Sequence, residues 1–93
     1  MVIAVLQVRL YAPWVHSLKE KRSVLKSLMA QIRNKFNVSV AETDAQDAHQ
    51  TLVITVAVVA ASRQLADSIL ESIQRFVEQN TDAEVIGIET EFR

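Results

Sequence analysis

Ten consecutive residues, Thr51–Ala60 (TLVITVAVVA), carry no charge and are rich in β-branched side chains. A run of this kind is built for a strand. It is apolar at odd and even positions alike, so neither of its faces is suited to water. The strand therefore belongs in the middle of a sheet that is covered on both sides. A chain of 93 residues can supply the rest of one such sheet and little more, which makes residues 1–93 a single domain.

The partners of this strand can be read on either side of it. In residues 2–11 (VIAVLQVRLY), Ala4, Leu6, Val8 and Leu10 alternate with Ile3, Val5, Gln7, Arg9 and Tyr11, the period of a strand. Pro13 cannot donate to a ladder and marks its end. From about Leu18 to Phe36 the period changes to that of a helix. Leu18, Leu25, Leu28, Met29, Ile32 and Phe36 fall within a stripe about 100° wide. Ser17 and Glu20 before it have the spacing of a capping box. Residues 37–43 (NVSVAET) predict a short strand, and Ala45–Gln50 a polar connection. Ser62 is placed to cap a second helix over about 63–79, with Leu65, Ala66, Ile69, Leu70, Ile73, Phe76 and Val77 inward. Residues 83–92 (AEVIGIETEF) complete the set, with Ile86, Ile88 and Phe92 on one face.

The order is β-α-β-β-α-β. Right-handed crossovers on that order give an α+β ferredoxin-like βαββαβ sandwich. Its four-stranded antiparallel sheet has the order 4-1-3-2, with two helices on one face. The two most apolar strands, the first and third, then fall in the middle, as burial requires.

Composition excludes several function classes. No cysteine means no thiolate metal site and no cysteine nucleophile. The single glycine, Gly87, lies inside the last strand, so no glycine-rich loop cradles a phosphate. His16 and His49 lie on different connections, and no nucleophile, base and orienting acid are grouped. The expectation is a non-enzymatic domain with no catalytic residue, no resident metal and no cofactor. Glu42, Asp44, Asp47 and His49 surround one connection, but without the glycine that turns ligands onto a cation, and they read as a solvated acidic loop. No apolar run is long enough to span a membrane, and the first residues lack the pattern of a secretory leader, so a cytoplasmic protein is expected.

The net charge of −1 hides a split. Residues 1–41 hold seven basic groups and one acid, whereas residues 42–93 hold three basic groups and ten acids. On a helical wheel with Leu18 at zero, Arg22, Arg33, Lys26 and Lys19 fall at about 40°, 60°, 80° and 100°. They form one basic flank beside the apolar stripe. Lys19, Lys21 and Arg22 occupy the first turn, where the helix dipole disfavours cations. His16, Lys19, Lys21, Arg22, Lys26 and Arg33 are thus candidates for binding phosphates or an acidic partner. The competing reading is intramolecular: Asp67, Glu71 and Glu78 share a flank of the second helix and could form surface ion pairs with the first. Lys21, beside the stripe, could also simply lay its stem over the core edge.

Other features are ambiguous in the same way. Trp14, on the approach to the first helix, either packs over the end of the core or anchors a partner. The sheet face away from the helices offers an RNA base only one aromatic, Tyr11, which disfavours stacking recognition there. Its aliphatic residues, Ile3 and Val5 among them, suggest instead a face covered by a second subunit, with Ile3, Val5 and Tyr11 in a homodimer contact. The alternative function is then a structural or regulatory homodimer that binds a protein or small ligand at its sheet face.

His16–Leu28 (HSLKEKRSVLKSL), then Phe36–Glu42 (FNVSVAE), then Gln46-Asp47 resemble the YlxP-like family of small bacterial proteins. The resemblance runs over essentially the whole chain. It implies the same ferredoxin-like fold. Members of that family are often encoded beside translation-initiation and ribosome-maturation genes, which implies a ribosome-associated role, with ribosomal RNA or a translation factor as partner. No catalytic residues are implied. The chain departs from the family pattern at His49, where a tryptophan would be expected.

Overall fold

The computed structural model describes residues 1–93. The elements are β1 (Val2–Tyr11), α1 (Leu18–Lys35), β2 (Ser39–Asp44), β3 (Thr51–Ala60), α2 (Arg63–Asn80) and β4 (Glu84–Phe92). All strand pairs are antiparallel, in the order β2-β3-β1-β4. This is the ferredoxin-like sandwich that the alternation predicts, with both apolar strands in the middle.

One face of the sheet carries the core. Leu6, Val8 and Leu10 of β1 and Leu52, Ile54 and Val56 of β3 are buried beneath Leu25, Leu28 and Ile32 of α1 and Leu70, Ile73 and Val77 of α2. Ser17 caps α1 by accepting the Glu20 amide at 3.1 Å, and Ser62 caps α2 through the Leu65 amide at 3.2 Å. Phe36 and Phe76 meet edge to face, their ring centres 5.6 Å apart, where the helices adjoin.

Departures from the predicted boundaries are local. β2 begins at Ser39 rather than residue 37, because Asn37-Val38 serves as the connection and the Val38 amide bonds back to the Phe36 carbonyl. Leu65, placed in the inward stripe of α2, is half exposed because it lies in the first turn, beyond the edge of the core. In β4, Ile88 and Phe92 do share the helix side, opposite Val8 and Ala4. Ile86 does not pair regularly: a bulge sets Val85 against Leu10 and leaves Ile86 half exposed.

The other face of the sheet has no covering layer. Its middle strands present Ile3, Val5, Gln7, Arg9 and Tyr11 from β1 and Thr51, Val53, Thr55, Ala57 and Val59 from β3. Val53 alone is completely buried on this face. Arg9 lies opposite it on one side and Asp44 on the other, and their side chains meet at 3.3 Å.

Candidate anion-binding flank and a buried ammonium

Lys21 is not on the surface. It stands at about 300° on the α1 wheel, between Leu28 and Ile32, in the middle of the buried stripe. Only 1% of it is exposed. Its ammonium donates to the carbonyls of Ala45 and Ala48, each at 2.7 Å, and lies 2.9 Å from Glu42 Oε2. Three donors thereby meet three acceptors. Glu42 sits on the helix side of β2, opposite Ile54, and the buried Oε2 has no partner other than this ammonium. Lys21 therefore leaves the set of candidate binding residues and becomes a staple from the first turn of α1 to the β2–β3 connection. Its wheel position and the inward register of Glu42 were both present in the sequence. What was missing was the turn that brings the two carbonyls over them.

That turn is itself constrained. Ala45 has φ of 54°, the left-handed region that a non-glycine residue enters at a cost of about 1–2 kcal/mol. Its amide is held by Asp44 Oδ1 at 2.8 Å, and its carbonyl accepts both the Ala48 amide and the ammonium. The acidic groups of this region are thus divided. Glu42 turns inward to Lys21, and Asp44 lies on the open face with Arg9. No three His, Asp or Glu side chains converge.

The Ala45 amide, and then the Arg9 guanidinium, hold the Asp44 carboxyl below its ordinary value of 3.8. A carboxyl lowered in this way stabilises the fold above its unfolded pKa, and the contribution is lost as pH falls through the native one. Asp44→Asn should therefore lower the urea midpoint at pH 6, and the gap from the parent should shrink towards pH 3. A gap of constant size would reject the assignment.

The remaining cations of α1 have a different setting. The side of α1 that faces α2 is formed by Val24, Leu28, Gln31 and Lys35, at about 220–280°. Val24, Leu28 and Gln31 border a groove with Asn80–Asp82 at the end of α2, and Lys35 lies 5.7 Å from the centre of the Phe76 ring. Lys19, Arg22, Lys26 and Arg33 lie on the other side, along the edge of the sheet formed by β2. Arg33 marks the direction, since its Nη2 donates to the Val40 carbonyl of β2 at 3.0 Å.

The acids of α2 point the opposite way. Asp67, Glu71 and Glu78 fall on the β4 side of that helix, the side on which Arg63 stacks 3.6 Å from the centre of the Phe92 ring. The four ion pairs of the chain are Arg9–Asp44, Lys21–Glu42, Arg63–Asp67 and Arg93–Glu91. None joins the helices. The intramolecular reading of the basic flank is thereby overturned: α1 and α2 carry opposite charges to opposite edges of the sandwich. Lys19, Arg22 and Lys26 are exposed and have no anion of their own. Their line to Arg33 runs about 21 Å.

His16 is exposed immediately before the Ser17 cap, at the N-terminal end of this line. Trp14 is 39% exposed and stands at the groove between the helices with Ser23, Ser27 and Asp82, on the other side of α1. The structure therefore separates it from the basic flank. Ile3, Val5 and Tyr11 are together on the open sheet face, where Val5, Gln7, Thr55, Glu89 and Glu91 line a shallow depression of about 330 Å³.

Fold and surface together define a small α+β sandwich of the ferredoxin-like class, with a one-sided basic helix and no helix long and apolar enough to cross a membrane. The chain belongs to the family described as protein of unknown function (DUF503), whose model matches residues 3–90. It is 37% identical over 76 residues to the uncharacterized protein YlxP of Bacillus subtilis (strain 168), covering 82% of this chain and 83% of that one. A de novo designed protein, Foldit4, has a similar backbone, with a TM-score of 0.51 over 99% of this chain and 94% of its own. At 14% identity that likeness concerns the fold alone.

Lys21, Glu42 and the turn after β2 belong to the stretches through which the YlxP-like resemblance runs. They meet in one internal network. Part of that sequence signature is therefore accounted for by a structural staple and says nothing about a partner.

Proposed function

We propose that the protein is a non-enzymatic module that binds RNA phosphates through the outer flank of α1, with ribosomal RNA as the partner and the bacterial cytoplasm as the setting. The observation that carries this reading is the unpaired state of Lys19, Arg22 and Lys26 on an edge turned away from the acids of α2. Lys19 also sits in the first turn, against the helix dipole, with Arg22 immediately after that turn. An anion docked beside them offsets that cost. Arg33 extends the line at its far end, and His16 adds a hydrogen-bond donor at the near one. Base recognition has no aromatic platform in this surface, so affinity resides in phosphate contacts and follows backbone shape.

Four phosphate contacts imply a slope of about −3 in log affinity against log salt. Association with purified 30S subunits should then weaken about 20- to 50-fold between 50 and 150 mM KCl. Binding that is absent at 50 mM, or insensitive to salt, would refute the proposal. Salt-sensitive binding to an acidic translation protein with none to ribosomal RNA would assign the same flank to a protein partner.

A further inference from the structure

We propose that the open face of the sheet is the contact of a two-fold dimer, formed with a second copy of this chain whose strands run alongside its own. This goes beyond the phosphate-binding reading and concerns a different surface.

The face can be followed in rows across β2, β3, β1 and β4. One row reads Ser39, Ala57, Val5, Glu91, and the next Ala41, Thr55, Gln7, Glu89. Beyond the first row, Val59 lies opposite Ile3, and Ile3 is paired through its amide and carbonyl with Arg93. Val59 is 67% exposed and Ile3 37%.

Two sheets stacked with their strands aligned can be related by a two-fold axis along the strands or across them. An axis across the strands lays β4 on β4. Centred on the middle of the face, it sets Glu89 against Glu89 of the second copy. An axis along the strands, between β1 and β3, lays β4 on β2 and β1 on β3, and each row meets itself reversed. Glu89 then faces Ala41, Glu91 faces the Ser39 hydroxyl, and Gln7 faces Thr55. Val5 meets Ala57 and Ile3 meets Val59, which joins the exposed aliphatics of both copies into one cluster. No carboxylate opposes another. Arg9 is already bent across Val53 to Asp44 within its own chain, so it reaches the contact neutralised.

The size is that of a weak contact. The two middle strands contribute five rows, but β2 reaches only three of them, through Ser39, Ala41 and Asp44, so the opposed area is roughly 900 Å² counted over both copies. The helices stay on the outside, so both basic flanks remain free, and one dimer presents two of them to a polyanion.

The test is the mass of the full chain by sedimentation equilibrium between 1 and 100 µM, with circular dichroism to verify folding. The parent should be a dimer in the micromolar range. Ala41→Glu should place a carboxylate against Glu89 of the second copy and weaken the dimer about tenfold or more. Ala41→Glu combined with Glu89→Lys should restore it. In one chain these residues are three strands apart, about 14 Å, so rescue must act between copies. If Ala41→Glu does not fold, Val59→Lys, at an exposed position opposite Ile3 of the second copy, should dissociate the dimer in its place. A parent that stays monomeric at 100 µM overturns the proposal. So does a dimer indifferent to Ala41→Glu, or one that Glu89→Lys does not restore. Each is a mass readout, independent of whether RNA binds.

Discussion

Lys21→Met should lower the stability of the fold by about 3–5 kcal/mol, the usual cost of breaking a buried ion pair from one side. For a domain of this size the corresponding fall in melting temperature is roughly 15–30 °C. The reason is what the substitution leaves behind. The Glu42 carboxylate keeps its inward position and loses its only partner. The Ala45 and Ala48 carbonyls each lose a charged donor at 2.7 Å. Ala45 also loses part of what holds it in the left-handed region. Removing both charges is expected to cost less than removing one. Lys21→Met with Glu42→Leu should recover much of the loss, because a buried pair is often replaceable by apolar side chains. A residue of about 1–3 kcal/mol should remain for the carbonyls. Urea titration of the three proteins measures all of this. A loss below 1 kcal/mol for Lys21→Met would mean that the ammonium holds nothing together.

Reversing the charges of Lys19, Arg22 and Lys26 to Glu should separate binding from folding. Each lost phosphate contact removes about 1 kcal/mol of counterion release near 0.1 M salt, so affinity for RNA should fall about a hundredfold. The same three substitutions should leave the fold intact, since exposed sites change stability by about 0.5 kcal/mol at most. At position 19 the new carboxylate lies in the first turn of α1, where the dipole favours it by about a few tenths of a kcal/mol. The variant should therefore bind worse and melt no lower. Asp67→Lys with Glu71→Lys, on the opposite edge, serves as the comparison and should leave RNA affinity undiminished. Unchanged binding by the α1 variant would remove the basic flank from the function altogether.

These two predictions concern cations only two residues apart on α1, and the sequence presented them as one cluster. Nothing in HSLKEKR distinguishes Lys19 from Lys21 by residue type. The wheel angle does, but a lysine within an apolar stripe is equally consistent with a stem that ends in water. Burial became certain only once β2 supplied an inward carboxylate and the turn at Ala45 supplied carbonyls. The fold was far more legible. Alternation in β1, the uncharged run in β3 and two capped amphipathic helices each point to the same sandwich. Their errors are confined to ends and edges: the start of β2, Leu65 in the first turn of α2, and Ile86 at a bulge. At those places neighbouring strands and helix ends decide the outcome, and local pattern carries little of that information.

Charge shows the same division. The segregation of cations into residues 1–41 and acids into residues 42–93 is a property of the chain itself. Whether the two halves cancel depends on how two helices are turned about their axes, and that is set by which stripe each one buries. Because α1 buries Leu25, Leu28 and Ile32 and α2 buries Leu70, Ile73 and Val77, the charged flanks are carried to opposite edges. The sequence by itself determined a ferredoxin-like domain with a basic helix, since periodicity is local and burial of apolar surface enforces it. Only the tertiary structure decided that Lys21 is internal and that the other cations face outward unpaired, since both depend on contacts between segments distant in the chain.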